Sequence, residues 1–242
     1  TGSNNILLGY KTGFNNTGSY NIMLGNESGY SNTSGEYNVF MGFQSGNQNV
    51  NGASNTFIGY QSGLNFTTGQ YNTFIGYQTG LASATSKGTG KNNVAIGYKA
   101  GISLTYGENN IFIGTEAGGS TTGVMIDTVR GENTFVGYWA GKNNTTGYQN
   151  IAIGYQAGMR LSSNNRNTLV GTSAGQDLSS GLANSYFGTY AGRLTTSGNN
   201  NTFVGYDCGY QCYTGSYNTF VGFQAGRGWG ATAIGDSSVF IG

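Results

Sequence analysis

The sequence predicts an all-β fold, a parallel β-solenoid of about thirteen 17-residue coils. Three observations carry this. One pattern, N-x-x-x-G-x-x-x-G, recurs along the chain. Each copy holds one short run of β-branched and aromatic residues. Polar clusters rich in Gly, Asn, Ser and Thr close that run on both sides.

The first Gly of the pattern serves as an anchor. Anchors stand at 9, 25, 42, 59, 76, 97, 114, 137, 154, 171, 188, 205 and 222. The spacing is 16 or 17 except in the fifth interval, 21, and the seventh, 23. Four residues before the anchor every copy has Asn, as at Asn55 and Asn72, and four after it every copy has Gly, as at Gly63 and Gly80. The two residues before it are apolar throughout, as in Phe57-Ile58-Gly59 and Phe74-Ile75-Gly76. The third residue after it is always small, and the first is aromatic in nine of thirteen copies. The remainder reads as polar turn. A unit this short cannot hold a strand–helix–strand, and no helical period is present. One strand with its turns, repeated, gives coils that stack about 4.8 Å apart and share a continuous core. Gly after the strand permits a positive φ where the coil turns. Stacked Asn can form an amide ladder, and Asn itself tolerates the left-handed conformation. The repeat domain is expected over 1–230, with 231–242 as an atypical terminal repeat or cap.

Composition excludes several classes. The chain has 45 Gly, no Pro, no His, and 8% charged residues, against about 25% charged in an ordinary domain. Aromatics reach 14% and the formal net charge is +1, so apolar material is available and disorder is not expected. The scattered Lys and Arg offer no footprint for nucleic acid. No apolar stretch reaches the roughly 18 residues of a membrane-spanning helix, so no membrane insertion is expected. The chain begins at Thr1, already inside a repeat, and reads as a piece of a longer protein.

Little chemistry suggests an enzyme. With no His, acid–base work would fall to nine scattered carboxylates. No cofactor or metal is expected, because Gly-Gly-x-Gly-x-Asp calcium repeats and zinc spacings are missing. Cys208 and Cys212 leave two readings open, small buried residues or a local disulfide. In the second slot after the anchor, Lys11 precedes Glu27 and Lys99 precedes Glu116 in successive copies, so each pair is expected to approach.

Two further features concern partners. The two apolar residues before the anchor must face opposite ways in a strand. One set fills the coil; the other forms a stripe too large for a soluble monomer. Another copy of the chain, or a second wall of the same coil, must cover it. The two long intervals must bulge from the stack. The first carries Ala82 to Lys91, with Lys87 and Lys91 as candidate recognition residues; the second carries Thr121 to Arg130, with Val124, Met125, Ile126, Val129 and Arg130.

The block N-x-x-I-G with a small residue soon after resembles the head repeat of trimeric autotransporter adhesins, a left-handed parallel β-roll, most closely at Ala231–Ser238. Copies such as Asn72–Gly80 are similar to repeats found ahead of tail-fibre chaperone domains. The resemblance covers nearly the whole chain. The adhesin repeat is shorter, has a small residue where Phe stands here, and lacks the regular Tyr and second Gly. The resemblance implies a left-handed coil, self-association as a homotrimer or filament, and an extracellular or cell-surface location. It implies attachment to a surface, with a host-surface or glycan receptor as partner. The alternative is a carbohydrate- or ice-binding solenoid, favoured by an unbroken exposed Tyr row or an unbroken flat Thr row respectively.

Overall fold

A computed structural model of the chain describes residues 2–123, 131–228 and 235–242. The fold is all-β, a parallel β-solenoid with one three-residue strand per coil and no helix among the described residues. The chain divides into two compact units, Thr1–Gly131 and Glu132–Gly242. The first holds β1 (Ile6–Leu8), β2 (Ile22–Leu24), β3 (Val39–Met41), β4 (Thr56–Ile58), β5 (Thr73–Ile75), β6 (Val94–Ile96) and β7 (Ile111–Ile113). Each pairs in parallel with the next, slot for slot. The second holds β8 (Thr134–Val136), β9 (Ile151–Ile153), β10 (Thr168–Val170), β11 (Ser185–Phe187), β12 (Thr202–Val204), β13 (Thr219–Val221) and β14 (Val239–Ile241), again in sequential parallel register. The register keeps equal slots opposite each other even across the 21-residue interval, where Phe74 faces Ala95. β14 lies beyond the thirteen anchored copies. Its Val239-Phe240-Ile241-Gly242 keeps the strand pattern, but Ser238 stands where the other copies have Asn.

The coil interior is narrow. The second residue before the anchor points inward and is fully buried from Met23 to Phe220, Phe57 and Phe74 included. Phe40, Phe57 and Phe74 stack at 5.1 and 4.9 Å between centroids. Tyr186, Phe203 and Phe220 do so at 4.6 and 4.8 Å. The small third slot after the anchor lies beside them. Its serines donate to the carbonyl of the inward residue one coil on, as Ser45 does to Phe57 at 2.8 Å and Ser62 to Phe74 at 2.9 Å.

One inward column lies in what reads as polar turn. The seventh residue after the anchor is buried as Asn32, Asn49, Phe66, Leu104, Thr121, Asn144, Leu161, Leu178, Thr195 and Cys212. Its size answers the strand residue of the same coil. Ala95 is matched with Leu104 and Ala152 with Leu161, whereas Phe40, Phe135 and Tyr186 are matched with Asn49, Asn144 and Thr195. A coil of fixed girth holds a nearly fixed side-chain volume, as close packing demands.

The asparagine ladder is the polar half of this core. The Asn72 Oδ1 accepts from the backbone N–H and the Nδ2 of Asn93, both at 3.0 Å. Its Nδ2 donates to the Asn55 Oδ1 at 3.1 Å and to the Gly90 carbonyl at 2.9 Å. The same pattern joins Asn150, Asn167, Asn184 and Asn201 in the second unit. These side chains are buried, and such groups are tolerated there only when satisfied.

The left-handed non-Gly residues are not the ladder asparagines. Apart from Ala82 at the first insertion, they are the residue just before each ladder position, such as Tyr71 (φ 59°) or Asn92 (φ 57°), and the second residue after each anchor, such as Gln78 (φ 51°). Side-chain stacking offsets this strain, which costs roughly 1–2 kcal/mol per non-Gly residue. Gln44, Gln61 and Gln78 bond in series at 3.0 and 2.9 Å, and Glu27 accepts from Gln44 at 2.9 Å. The two glycine slots have separate causes. The anchor Gly76 has φ 135°, and a Cβ on it would run into the Gly97 carbonyl of the next coil. Gly80 has φ 53°, and a Cβ there would strike the Phe74 ring.

Replacing Asn72 with Ala removes acceptor and donors together and strands the Asn93 N–H, one of the two Asn93 amide hydrogens and the Gly90 carbonyl. A loss of about 3 kcal/mol or more is expected, at about 1–3 kcal/mol for each buried group left unpaired. Chemical denaturation measures it. An unchanged midpoint would remove the ladder as a determinant of stability.

Candidate functional site

Two surface features are candidates, the outward face of the strands and the neighbourhood of the first insertion. The strand face follows from the pleat. With the Phe-rich set inside, the first and third residues before the anchor point out together with the first residue after it. Ile58 and Ile75 are therefore the outward residues, and they are partly exposed. In unit one the stripe ends on Ile111 and Ile113, 40% and 37% exposed. Beside it runs an aromatic ladder in which Phe43, Tyr60, Tyr77 and Tyr98 stack at 5.3, 5.0 and 5.4 Å. In unit two Tyr138 stacks on Tyr155 at 5.4 Å and Tyr206 on Phe223 at 5.6 Å. The planes lie within 12° of parallel. Neighbouring rings cover each other's faces, so an inner rung presents its edge and hydroxyl to solvent. The Thr column is interrupted, with Thr56 and Thr73 followed by Val94 and Ile111.

The charged slot lies along the edge of this face. Lys11 and Glu27 line one shallow cleft with Tyr30. The Tyr98 hydroxyl, and more weakly Glu116 of the next coil, hold the exposed Lys99 ammonium above the usual lysine value. In unit two the Arg193 guanidinium lies 5.3 Å from the Tyr190 ring centre and 5.8 Å from that of Tyr210. Arg160 pairs with Asp177 at 3.5 Å and Arg227 with Asp207 at 3.6 Å.

The first insertion leaves the stack after Ala82, whose N–H donates to the Ile102 carbonyl at 3.0 Å. It rejoins at Gly88, which bridges Phe66 in parallel. Residues 83–87 lie between these points, so this coil supplies no side chain to the seventh inward slot. Phe66 fills the space of two coils instead. Its ring meets Phe57 and Phe74 edge-on at 6.0 and 4.8 Å. Gly88 is required there because a Cβ would meet the Phe66 ring. Phe66 is thus a residue that the sequence reading passed over as turn. The signal was available: it is an aromatic at the seventh position, where the neighbouring copy has Asn49.

Of the candidate recognition residues, Lys87 sits at the end of the bulge, with its Nζ 3.4 Å from the Asn65 Oδ1. Lys91 is back in the regular turn, where its carbonyl accepts from the Asn109 N–H at 3.0 Å. Val124, Met125, Ile126, Val129 and Arg130 lie outside the described residues, as does the first half of the adhesin-like block, 231–234. Between the 81–86 arm and the 102–106 segment of the following coil lies a cleft of about 470 Å³. It reaches Thr122 and Gly123, where the second insertion begins.

Both cysteines are free and buried. Cys208 takes the place of the slot's serines and donates to the Phe220 carbonyl at 3.2 Å. Cys212 occupies the seventh inward slot and accepts from the Asn218 Nδ2 at 3.8 Å. Of the two readings, the structure has small buried thiols. Burial pushes each thiol up to about 11 from an ordinary value of 9.0. Among the described residues no cluster of metal-ligating side chains forms, and no helix is long and apolar enough to cross a membrane.

Two outcomes follow. Phe66→Ala empties two coils at once and is expected to cost about 3–5 kcal/mol in denaturant unfolding, as for other buried aromatics. The thiols are expected to resist alkylation in the native protein and to react on unfolding. Because their folded value is raised, the unfolded chain releases these protons first. Stability is therefore full below about pH 9 and falls as pH rises from there towards 11. Double Cys→Ser replacement should flatten that decline; an equally steep decline would assign it to other groups. Compared with known proteins, the chain matches no protein-family model, no curated protein and no solved structure.

Proposed function

We propose that this chain is a segment of an extracellular structural and adhesive fibre, which associates with copies of itself through the outward strand face and attaches to a surface. The observation that carries the reading is the apolar stripe. The outward residues of unit one alone expose on the order of 1,000 Å² of mostly apolar side chain, beyond the few hundred Å² usual on a monomer. A stable interface buries about 800 Å² per partner, so one stripe is enough to hold a second copy. Three copies around an axis, the arrangement implied by the adhesin resemblance, would cover every stripe. The rigid register and sparse charge also suit a structural element better than a catalyst, whose groups must converge on one point.

The binding alternatives have less support. Sugar rings stacking along the Tyr ladder would need open ring faces, and those faces are turned to each other. Ice binding would need a continuous Thr row, and valine and isoleucine interrupt it.

Native mass spectrometry at micromolar concentration tests the reading. A multiple of the 25.3 kDa chain is expected, three copies above all. Ile58→Asp with Ile75→Asp is expected to yield folded monomer, because these side chains face outward. Phe57→Asp is expected to unfold the chain, because that side chain faces inward. A wild-type monomer would defeat the proposal.

A further inference from the structure

We propose that the cleft beside the first insertion is a binding site for a neutral saccharide of one or two rings. This rests on the reading of the chain as an adhesive segment and gives that adhesion a place and a ligand chemistry.

The cleft exists because the coil is interrupted. Where residues 83–87 leave the stack, the neighbouring coil is still met by Ala82 at the Ile102 carbonyl and by Thr89 at the Thr105 carbonyl, and the stretch of that coil between them becomes a wall. Leu81 and Ile102 give that wall an apolar part. Their backbones remain in coil-to-coil register, with Asn65 donating to the Leu81 carbonyl at 3.1 Å and Ala82 to that of Ile102 at 3.0 Å. The floor is therefore built on the rigid stack, although the bulge forms one rim.

The polar groups suit a polyol. Ser86, Ser103 and Tyr106 line the cleft, and their hydroxyls have no partner in the protein among the described residues. Each can both donate and accept, which matches the hydroxyls of a sugar. None of the described lining residues is charged, so nothing there compensates a phosphate, sulfate or carboxylate. A purely apolar ligand would leave the hydroxyls buried and unpaired. The volume of about 470 Å³ falls within the roughly 300–1,000 Å³ of small-molecule sites.

Tyr106 supplies the second argument. The rings of the outward ladder cover one another, but among the described residues no other ring lies against Tyr106. Its backbone is held in the stack by the Thr122 carbonyl at 2.9 Å. Tyr106 is half-buried and lines the cleft, so its ring gives the C–H face of a sugar an aromatic surface to pack on, while its hydroxyl remains free to bond. The saccharide would thus be recognised at an interruption of the repeat, away from the Tyr ladder.

The test is saturation-transfer NMR on the full chain with glucose, galactose, N-acetylglucosamine and lactose at millimolar concentration, and with sialic acid as the charged comparison. At least one neutral sugar is expected to show transfer. Tyr106→Ala is expected to weaken it about tenfold, a loss of one good contact, while Tyr77→Ala in the ladder leaves it unchanged. Ser103→Leu, which fills the cleft without touching the platform, is expected to abolish it and guards against a misfolded Tyr106 variant. Transfer to sialic acid only, no transfer to any neutral sugar, or transfer lost in Tyr77→Ala and kept in Tyr106→Ala would each overturn the proposal. The native mass is read separately, so the fibre reading and the cleft can fail independently.

Discussion

The hydrogen bonds that run from coil to coil are the constraint on which everything else depends, and the buried asparagine ladder is their most demanding part. A three-residue strand contributes few bonds of its own, and a coil of about seventeen residues cannot enclose a core. An inner Asn amide such as that of Asn72 closes the gap. It gives two hydrogens and receives two, to the Asn of the adjacent coils and to the chain entering the next turn. No shorter or longer side chain places an acceptor and two donors at that depth, so the slot admits Asn in all thirteen anchored copies. The ladder also sets the register. A slip of one residue would leave a buried amide opposite an apolar side chain, at the full cost of desolvation.

Fixed girth is the second consequence. Because every coil must stack on the last, its cross-section cannot swell to accept a large residue or shrink around a small one. The interior therefore trades volume across the coil, with Ala95 opposite Leu104 and Tyr186 opposite Thr195. Where the first insertion removes one inward residue, Phe66 takes up the space left in two coils. The insertion is tolerated because the coil closes beneath it at Gly88, and this closure leaves a cleft where regular coils would leave a flat wall.

The same stacking explains the surface. Identical slots at one strand spacing turn any exposed residue type into a column, so a single apolar choice becomes a stripe and a single aromatic choice becomes a ladder. A stripe of that kind favours association along its whole length. A ladder of rings favours contact between its own members, which is worth about 0.5–1.5 kcal/mol per pair. Regularity thus suits a fibre surface, while selective binding is better placed at an interruption.

The amino-acid sequence by itself determined the repeat, its register, the strand at each anchor and the two insertion points, because the Asn and Gly slots have only one physical solution in a stack. It also showed that both strand faces are apolar. Only the tertiary structure decided which face lies inside. Phe57 and Ile58 are equally apolar, and the choice depends on which way the turns bend around the strand. The turns hid the most. Phe66, Leu104, Leu161 and Leu178 face inward from segments whose composition reads as solvent-exposed loop, and the left-handed positions fall on Tyr71 and Gln78 rather than on Asn72. β14 was obscured because Ser238 replaces the Asn that marks the other copies. These features depend on where the chain meets itself across one coil, about half a repeat away in sequence, and local patterning carries no direct record of that distance. The cleft belongs to the same class, since Leu81 and Tyr106 come together only once two successive coils are stacked and one of them is interrupted.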